Sequence, residues 1–199
     1  MLLVKNEGMD EKKFEAEISK TLHVLNDGGI ILYPTDTIWG IGCDATNEEA
    51  VNKIIALKQR PQQKSFVVLV ATEKDILQYT ASPDLAVFDY LQTVTKPTTV
   101  IYNHALGLAQ NVMNEDGSVA IRICNEEFCR YLIRRFRKPI VSTSANLSGE
   151  PSPQNYALVS PAIKNGVDYV VNYRQDDNEL RTASALIRWD SGRAQIIRP

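Results

Sequence analysis

Two polar clusters and a scattered set of cations are the residues in this chain whose types and spacing could do chemistry. The first cluster follows an apolar run, Ile30 to Tyr33. Pro34 stops the run, and Thr35, Asp36 and Thr37 then place two hydroxyls and a carboxylate ahead of Gly40 and Gly42. The second, Ser142-Thr-Ser-Ala-Asn-Leu-Ser-Gly149, puts four hydroxyls and an amide behind another apolar run and leads into Pro151-Ser152-Pro153. Loops of this kind offer neutral donors to phosphate or carboxylate oxygens; the plain alternatives are a helix-capping turn and a Ser/Thr turn. The cations are Lys58, Arg60, Lys64, Arg122 and Arg198. Arg122 stands inside an alternating strand pattern, where an arginine seldom lacks an anion or carboxylate partner. Fixed cations alternating with hydroxyl-rich loops, without an evident nucleophile, fit transfer of a phosphoryl or nucleotidyl group between bound substrates. In such reactions positioning and charge neutralisation do the catalysis, and a substrate supplies the nucleophile. From the residues alone, the reading stops at a polyanion binder, with ATP as a candidate.

The missing chemistry narrows the class. There is no G-x-x-x-x-G-K-[ST], so a nucleotide would not sit on a Walker loop. Gly40-Ile-Gly42-Cys-Asp-Ala45 has the G-x-G-x-x-A form, but six residues, Pro34 to Trp39, separate the apolar run from its first glycine. About 20 positions on, where a dinucleotide site needs a carboxylate, stand Lys58, Arg60 and Lys64 instead. No G-x-S-x-G elbow supports a serine hydrolase. Cys43, Cys124 and Cys129 form no C-x-x-C pair and His23 and His104 are remote from them, so no metal ligands are assigned. Cys43, beside the glycines, either borders a pocket or is an ordinary buried thiol. His23 lies beside the apolar stripe of a helix and reads as a structural or surface residue.

These residues need a scaffold, and 199 residues suit one domain with a full core. A formal charge of −2 leaves no bulk basicity to attract nucleic acid, so any RNA contact would be a local patch. No apolar run approaches the roughly 18 residues of a membrane span, and Met1 to Glu7 lacks the layout of a signal peptide; the expected location is the cytoplasm. Phe14, Ile18, Leu22 and Leu25 have the spacing of an amphipathic helix ended by Gly28-Gly29. Thr46-x-x-Glu49 has the form of a capping box ahead of a second helix that ends near Lys58. That helix, between the strands Ile30–Tyr33 and Phe66–Val70, suggests a βαβ unit that gathers Lys58, Arg60 and Lys64 on the connection entering the second strand. Lys58→Ala is expected to stop turnover and spare the fold, since a helix end is not core. Helices are expected over Thr72–Gln78, Pro83–Thr93 and Glu126–Arg137 and from near Tyr156. Strands are expected over Thr98–Tyr102, Ser118–Ile123, Pro139–Ser142 and Asp168–Val171, with Ala185–Trp189 and Ala194–Arg198 closing as a hairpin. Arg174 to Arg181 reads as a charged loop, and the basic last turn of the Glu126 helix as a solvated face.

Tyr33-Pro-Thr-Asp-Thr-Ile-Trp-Gly40, Lys58-x-Arg60 and Ser142-Thr-Ser-Ala-Asn-x-Ser-Gly149, in this order and spacing, closely resemble the YrdC-like threonylcarbamoyl-adenylate synthases, from about Asp27 to Pro199. The resemblance implies an α/β fold, a twisted mixed sheet with helices packed around it and an open concave cavity. It implies synthesis of L-threonylcarbamoyl-adenylate from L-threonine, bicarbonate and ATP with release of pyrophosphate. That product serves threonylcarbamoyl-adenosine formation beside the tRNA anticodon. By the same implication, Lys58, Arg60, Ser144 and Asn146 are the catalytic set. Lys58, Arg60, Lys64 and Arg198, with Mg²⁺, would take the phosphates. Ser144, Asn146, Ser118 and Ser152 would serve the nucleotide side. Arg122 would hold the carboxylate of threonine, with Thr35, Thr37, Ser142 and Ser184 on the amino-acid side. Asp36 could orient the amine, touch a hydrated metal or hold its loop. Trp39 stands where tyrosine is usual, Lys64-Ser65 replaces Asn-Pro or Lys-Pro, and Thr95-Lys96-Pro97 replaces Pro-Gly-Pro. The chain resembles the short, single-domain form, which passes its labile product to a separate transferase complex. Two other readings compete: a double-stranded RNA or tRNA-binding module without catalysis, and a related carbamoyl-adenylate enzyme with another amine. Net acidity opposes the first, and the pocket around Thr35, Thr37 and Ser184 decides the second.

Overall fold

The computed structural model describes residues 7–59 and 66–199, with side chains of the first helix from residue 13 onward. Arg60 and Lys64 therefore lie outside the described residues. In chain order the elements are α1 (Glu7–Asn26), β1 (Ile31–Tyr33), β2 (Gly40–Gly42), α2 (Glu48–Lys58), β3 (Val67–Val70), α3 (Glu73–Tyr79), α4 (Ala86–Thr93), β4 (Thr98–Tyr102), β5 (Val119–Ile123), α5 (Glu127–Phe136), β6 (Ile140–Ser144), α6 (Pro161–Gly166), β7 (Tyr169–Val170), β8 (Ala185–Asp190) and β9 (Arg193–Arg198). Short 3₁₀ turns lie at Gln110–Val112 and Tyr156–Leu158, the latter where a helix was expected to start.

The strands of the described residues form one mixed sheet of nine in the order β7-β1-β2-β6-β3-β5-β4-β8-β9. This corrects the expected βαβ unit. β2 and β6 stand between β1 and β3, and the antiparallel pairings make β1 and β3 run in opposite directions. The strand parallel to β3 across α2 is β2, which periodicity did not reveal. The cap of α2 also differs: the side chain of Asn47, not Thr46, accepts from the Ala50 N–H at 3.1 Å, while the Thr46 hydroxyl donates to Asp44. α1 buries Phe14, Ile18 and Leu25 as its spacing predicts, and His23 is exposed beside Asp27.

The two faces of the sheet are covered unequally, and the cavity follows from that. Residues alternate between faces along each strand. Val68, Val70, Ile121 and Val141 belong to a core cluster with Val51 and Ile54 of α2, Ile76 of α3, Val87 of α4 and Ile163 of α6. On the other face Leu69, Ile140, Ile31 and Tyr33 pack with Phe14 and Ile18 of α1 and with Phe128 and Leu132 of α5. Leu69 pairs with both Arg122 and Ile140, and Val67 with Ser142, so this second face turns from apolar to polar along its strands. Where the apolar cluster stops, Val67, Arg122, Ser142 and Ser144 line an open cavity of about 200 Å³.

β2 owes its place to absent side chains. A Cβ on Gly42 would lie 2.6 Å from the Tyr33 ring and 2.7 Å from the Val141 carbonyl oxygen, closer than real Cβ atoms approach. Gly42→Ala is therefore expected to destabilise the fold by about 1–3 kcal/mol through overpacking. Urea denaturation measures this, and an unchanged midpoint would show that both the Tyr33 ring and the Val141 backbone give way freely.

Candidate functional site

One wall of the cavity is the segment between β1 and β2. The Thr35 hydroxyl donates to the Ile38 carbonyl (2.8 Å) and accepts from the Thr37 N–H (3.0 Å), tightening the turn from within. Thr35 is thus consumed by its own loop and does not line the cavity, whereas Thr37, Ile38, Trp39 and Gly40 do. Pro34 is fixed from behind, its carbonyl accepting from the Cys129 thiol at 2.9 Å.

Arg122 reaches this wall from β5. It is 4% exposed; its Nη2 donates to the Thr37 hydroxyl at 3.2 Å and lies 3.0 Å from Asp36 Oδ1. That Asp36 oxygen is off the hydrogen-bond direction, and Arg122 Nε, also buried, has no hydrogen-bond partner among the described residues. The other Asp36 oxygen accepts from the Asn125 N–H at 3.2 Å. Asp36 therefore orients Arg122 and ties the loop to the start of α5. The guanidinium is fixed from one side with donor capacity left over, the arrangement a bidentate oxyanion uses.

The second wall is the hydroxyl-rich loop after β6. Lys58, at the carboxyl end of α2, is 2% exposed, and its ammonium donates to the carbonyls of Ser144 and Asn146, the latter at 2.6 Å. The Ser148 N–H returns to the Lys58 carbonyl at 3.0 Å. Lys58 does end α2 as expected, but the expectation that this end is not core is corrected: the residue is buried beneath the loop whose shape it sets. Asn146 donates to the carbonyls of Leu147 (2.9 Å) and Glu150 (2.7 Å), while its buried Oδ1 has no partner among the described residues. Ser142, Thr143, Ser144 and Ser152 line the cavity.

Ala183, Ser184 and Arg198 complete the lining. Arg198 donates through Nε and Nη2 to the Ser184 carbonyl (3.1 and 3.0 Å), and the Ser184 hydroxyl is 2.8 Å from that of Thr99. Ser118 is not brought to the cavity. Its hydroxyl donates to Asp116 (2.6 Å) and accepts from Asn114 (2.8 Å), closing the turn before β5. Cys43 is fully buried and absent from the lining, and burial pushes its thiol far up.

One contributor was visible in the sequence only as charge. Arg174, in the left-handed region at φ 57°, donates to the Thr35 carbonyl (3.3 Å) and to Asp177 through Nη2 (2.9 Å), with Glu126 at 3.8 Å. The spacing of Arg174, Asp177 and Arg181 was the available signal; their target on the Thr35 segment was not.

Sheet and cavity together define an α/β domain in which guanidinium groups and a hydroxyl loop face one open space, a donor set suited to anions. The chain belongs to the Sua5/YciO/YrdC family, whose model, described as telomere recombination, matches residues 23–199. It is 32% identical over 160 residues to the threonylcarbamoyl-AMP synthase of Idiomarina loihiensis, covering 79% of this chain and 86% of that protein. To the protein of the same name from Xanthomonas euvesicatoria it is 33% identical over 160 residues, with 78% and 85% covered. The structure of P. abyssi Sua5 complexed with L-threonine superposes with a TM-score of 0.82 at 22% identity, covering 93% of this chain and 54% of that one. The chain thus spans about half of that larger protein.

Two outcomes follow from the walls. Lys58→Ala removes the charged donor shared by the Ser144 and Asn146 carbonyls, of which the first keeps the Asn146 N–H, and is expected to cost about 1–3 kcal/mol of stability, measured by urea denaturation; a wild-type midpoint would show that another donor replaces Lys58. Burial raises the Glu126 carboxyl above its usual range, against the pull of the Cys129 N–H and the Arg174 guanidinium. The folded protein then holds that proton more tightly, so the contribution to stability is present at low pH and is lost as pH rises from about 4.3 through the raised value. Glu126→Gln is expected to abolish this fall. A wild-type-minus-variant stability difference that is the same at about pH 4 and about pH 7 would contradict it.

Proposed function

We propose that this chain synthesises L-threonylcarbamoyl-adenylate from L-threonine, bicarbonate and ATP, releasing pyrophosphate. The observation that carries the reading is Arg122: a buried guanidinium whose Nε has no partner among the described residues, facing a cavity whose other wall is the Ser142–Ser144 loop. The names of the two bacterial relatives and the L-threonine in the P. abyssi structure support it.

Arg122 takes the carboxylate of threonine as a two-oxygen partner. Thr37, Ser142 and Ser184 lie around the amino acid. The amine of threonine and bicarbonate give a carbamate and water, and a carbamate oxygen attacks the α-phosphorus of ATP as the bond to pyrophosphate breaks. Asp36, paired with Arg122, serves to orient it. Arg198, Ser144, Asn146 and Ser152 serve the nucleotide, joined by Arg60 and Lys64. Lys58 acts by holding the loop that faces the phosphates. Their electrostatic work is to stabilise charge that moves onto the leaving pyrophosphate.

Mg²⁺ enters in this reading as the companion of the triphosphate. The lining supplies hydroxyls and guanidinium groups, a donor set for anions, and among the described residues no group of three His, Cys, Asp or Glu could hold a metal. Among those residues no helix is long and apolar enough to cross a membrane. The place of action we assign is the cytoplasm, where a separate transferase complex would consume the labile product on tRNA.

Pyrophosphate release is expected to require ATP, bicarbonate and L-threonine together. Arg122→Gln is expected to raise the KM for L-threonine by roughly a hundredfold while changing that for ATP little, as loss of a charge-assisted pair implies. Release with no dependence on any amino acid would refute the activity. Dependence on a different amine would move the assignment to another carbamoyl-adenylate.

A further inference from the structure

We infer that the protein carries a second oxyanion site, in the crevice at the carboxyl ends of β3 and β5, and that its ligand is a small phosphate-class anion. β3 and β5 are parallel neighbours, paired from Val67↔Ala120 to Val70↔Ile123. From β3 the chain passes to α3, whose Ile76 joins the core on one face; from β5 it passes to α5, whose Phe128 and Leu132 join the core on the other. Helices that leave adjacent parallel strands for opposite faces open a gap at the strand ends, the place where ligands lodge in open α/β sheets. Here the gap is a crevice of about 340 Å³, with Ala71 and Ile123 at its base and Thr72, Lys96, Asn125 and Arg130 among its walls. It shares no lining residue with the cavity of Arg122 and Ser142.

The charge in this crevice is unbalanced. Arg130 is half-buried, and its fully buried Nε has no hydrogen-bond partner among the described residues. Neither Arg130 nor Lys96 forms an ion pair within that set. Glu73 is the sole carboxylate among the described lining residues, and its charge acts on the Tyr102 phenol. The Lys96 segment is fixed, since the Thr98 hydroxyl donates to the Lys96 carbonyl at 2.9 Å. A guanidinium N–H removed from water without an acceptor is costly, and a planar pair of oxyanion oxygens relieves that cost. Two cations around a small crevice suit inorganic phosphate, whereas a nucleic-acid backbone needs a longer row of positive charge. Asn125, in the same wall, donates its backbone N–H to Asp36 beside Arg122, so its amide responds to both spaces, whereas that of Lys96 lies in the wall of the crevice alone.

The test is calorimetric titration of inorganic phosphate into the full chain at low ionic strength, with Arg130→Gln, Lys96→Gln and Arg198→Gln beside wild type. Arg130→Gln is expected to weaken binding roughly tenfold and Lys96→Gln severalfold, while Arg198→Gln keeps a site of wild-type affinity. The amide resonances of Lys96 and Asn125 are expected to shift with phosphate. If Arg130→Gln lowers the melting temperature, Arg130→Lys, which keeps the charge and loses the planar fork, is expected to weaken binding severalfold. Unchanged affinity in the Arg130 variants overturns the site, and so does loss confined to Arg198→Gln, which puts the phosphate in the main cavity. Resonance shifts with duplex RNA but not with phosphate also overturn it. Adenylate formation is not measured, so the result is independent of the proposed activity.

Discussion

A guanidinium cannot shed its proton, so Arg122, buried in the face of a β-sheet, must be compensated by what surrounds it. Much of the local architecture converges on that requirement. Asp36 and Thr37 supply the partners, and the segment that carries them is tied down at several points. The Thr35 side chain locks the turn, the Cys129 thiol holds the Pro34 carbonyl, the Asn125 N–H holds Asp36, and Arg174 holds the Thr35 carbonyl. α5 and the loop after β7 are thus organised around the same cation as β1 and β2. The compensation is incomplete, because Nε has no acceptor among the described residues. A partly satisfied buried polar group costs stability unless something binds it, which suits a site and not a core.

The opposite wall uses the other kind of cation in the other way. Lys58 is a compact charge that can draw several carbonyls toward one point, and it does so beneath the loop after β6. The carbonyls of Ser144 and Asn146 turn to the ammonium, while Ser142, Thr143 and Ser144 line the cavity. Arginine faces the space and lysine shapes its border; exchanging the two types would serve neither purpose.

How much of this was legible varied with how local each cause is. The apolar spacing of α1 and the alternation around Arg122 were readable because each residue reports its own surroundings. β2 was not, because Gly-Ile-Gly has no side-chain alternation and its glycines answer to Tyr33 and to the Val141 carbonyl. Missing β2 led to the wrong parallel partner for β3. Density of hydroxyls marked both loops of the site, but not which hydroxyls were already used: Thr35 and Ser118 serve their own turns. The burial of Lys58 depends on carbonyls 86 and 88 residues away, and no local pattern carries that information.

The third wall is held differently from the other two. The stretch between β7 and β8 brings Ala183 and Ser184 to the cavity, and one carboxylate, Asp177, gathers it by accepting from Arg174, from Arg181 and from the Glu179 N–H. Those arginines also reach outward: Arg174 to the Thr35 carbonyl, and the Arg181 backbone N–H to the Gln154 carbonyl beyond the hydroxyl loop. All three walls are therefore joined through this stretch. Yet its ion pairs lie near the surface, with about a quarter of the Asp177 and Arg181 side chains exposed, and pairs of that kind contribute about 0.2–1 kcal/mol each and weaken with salt. The Arg122 and Lys58 walls rest on buried partners that solvent does not screen. The cavity is thus bounded by two sides held by buried partners and one held by ion pairs near the surface, and local opening in a protein starts where the fewest buried contacts must be given up.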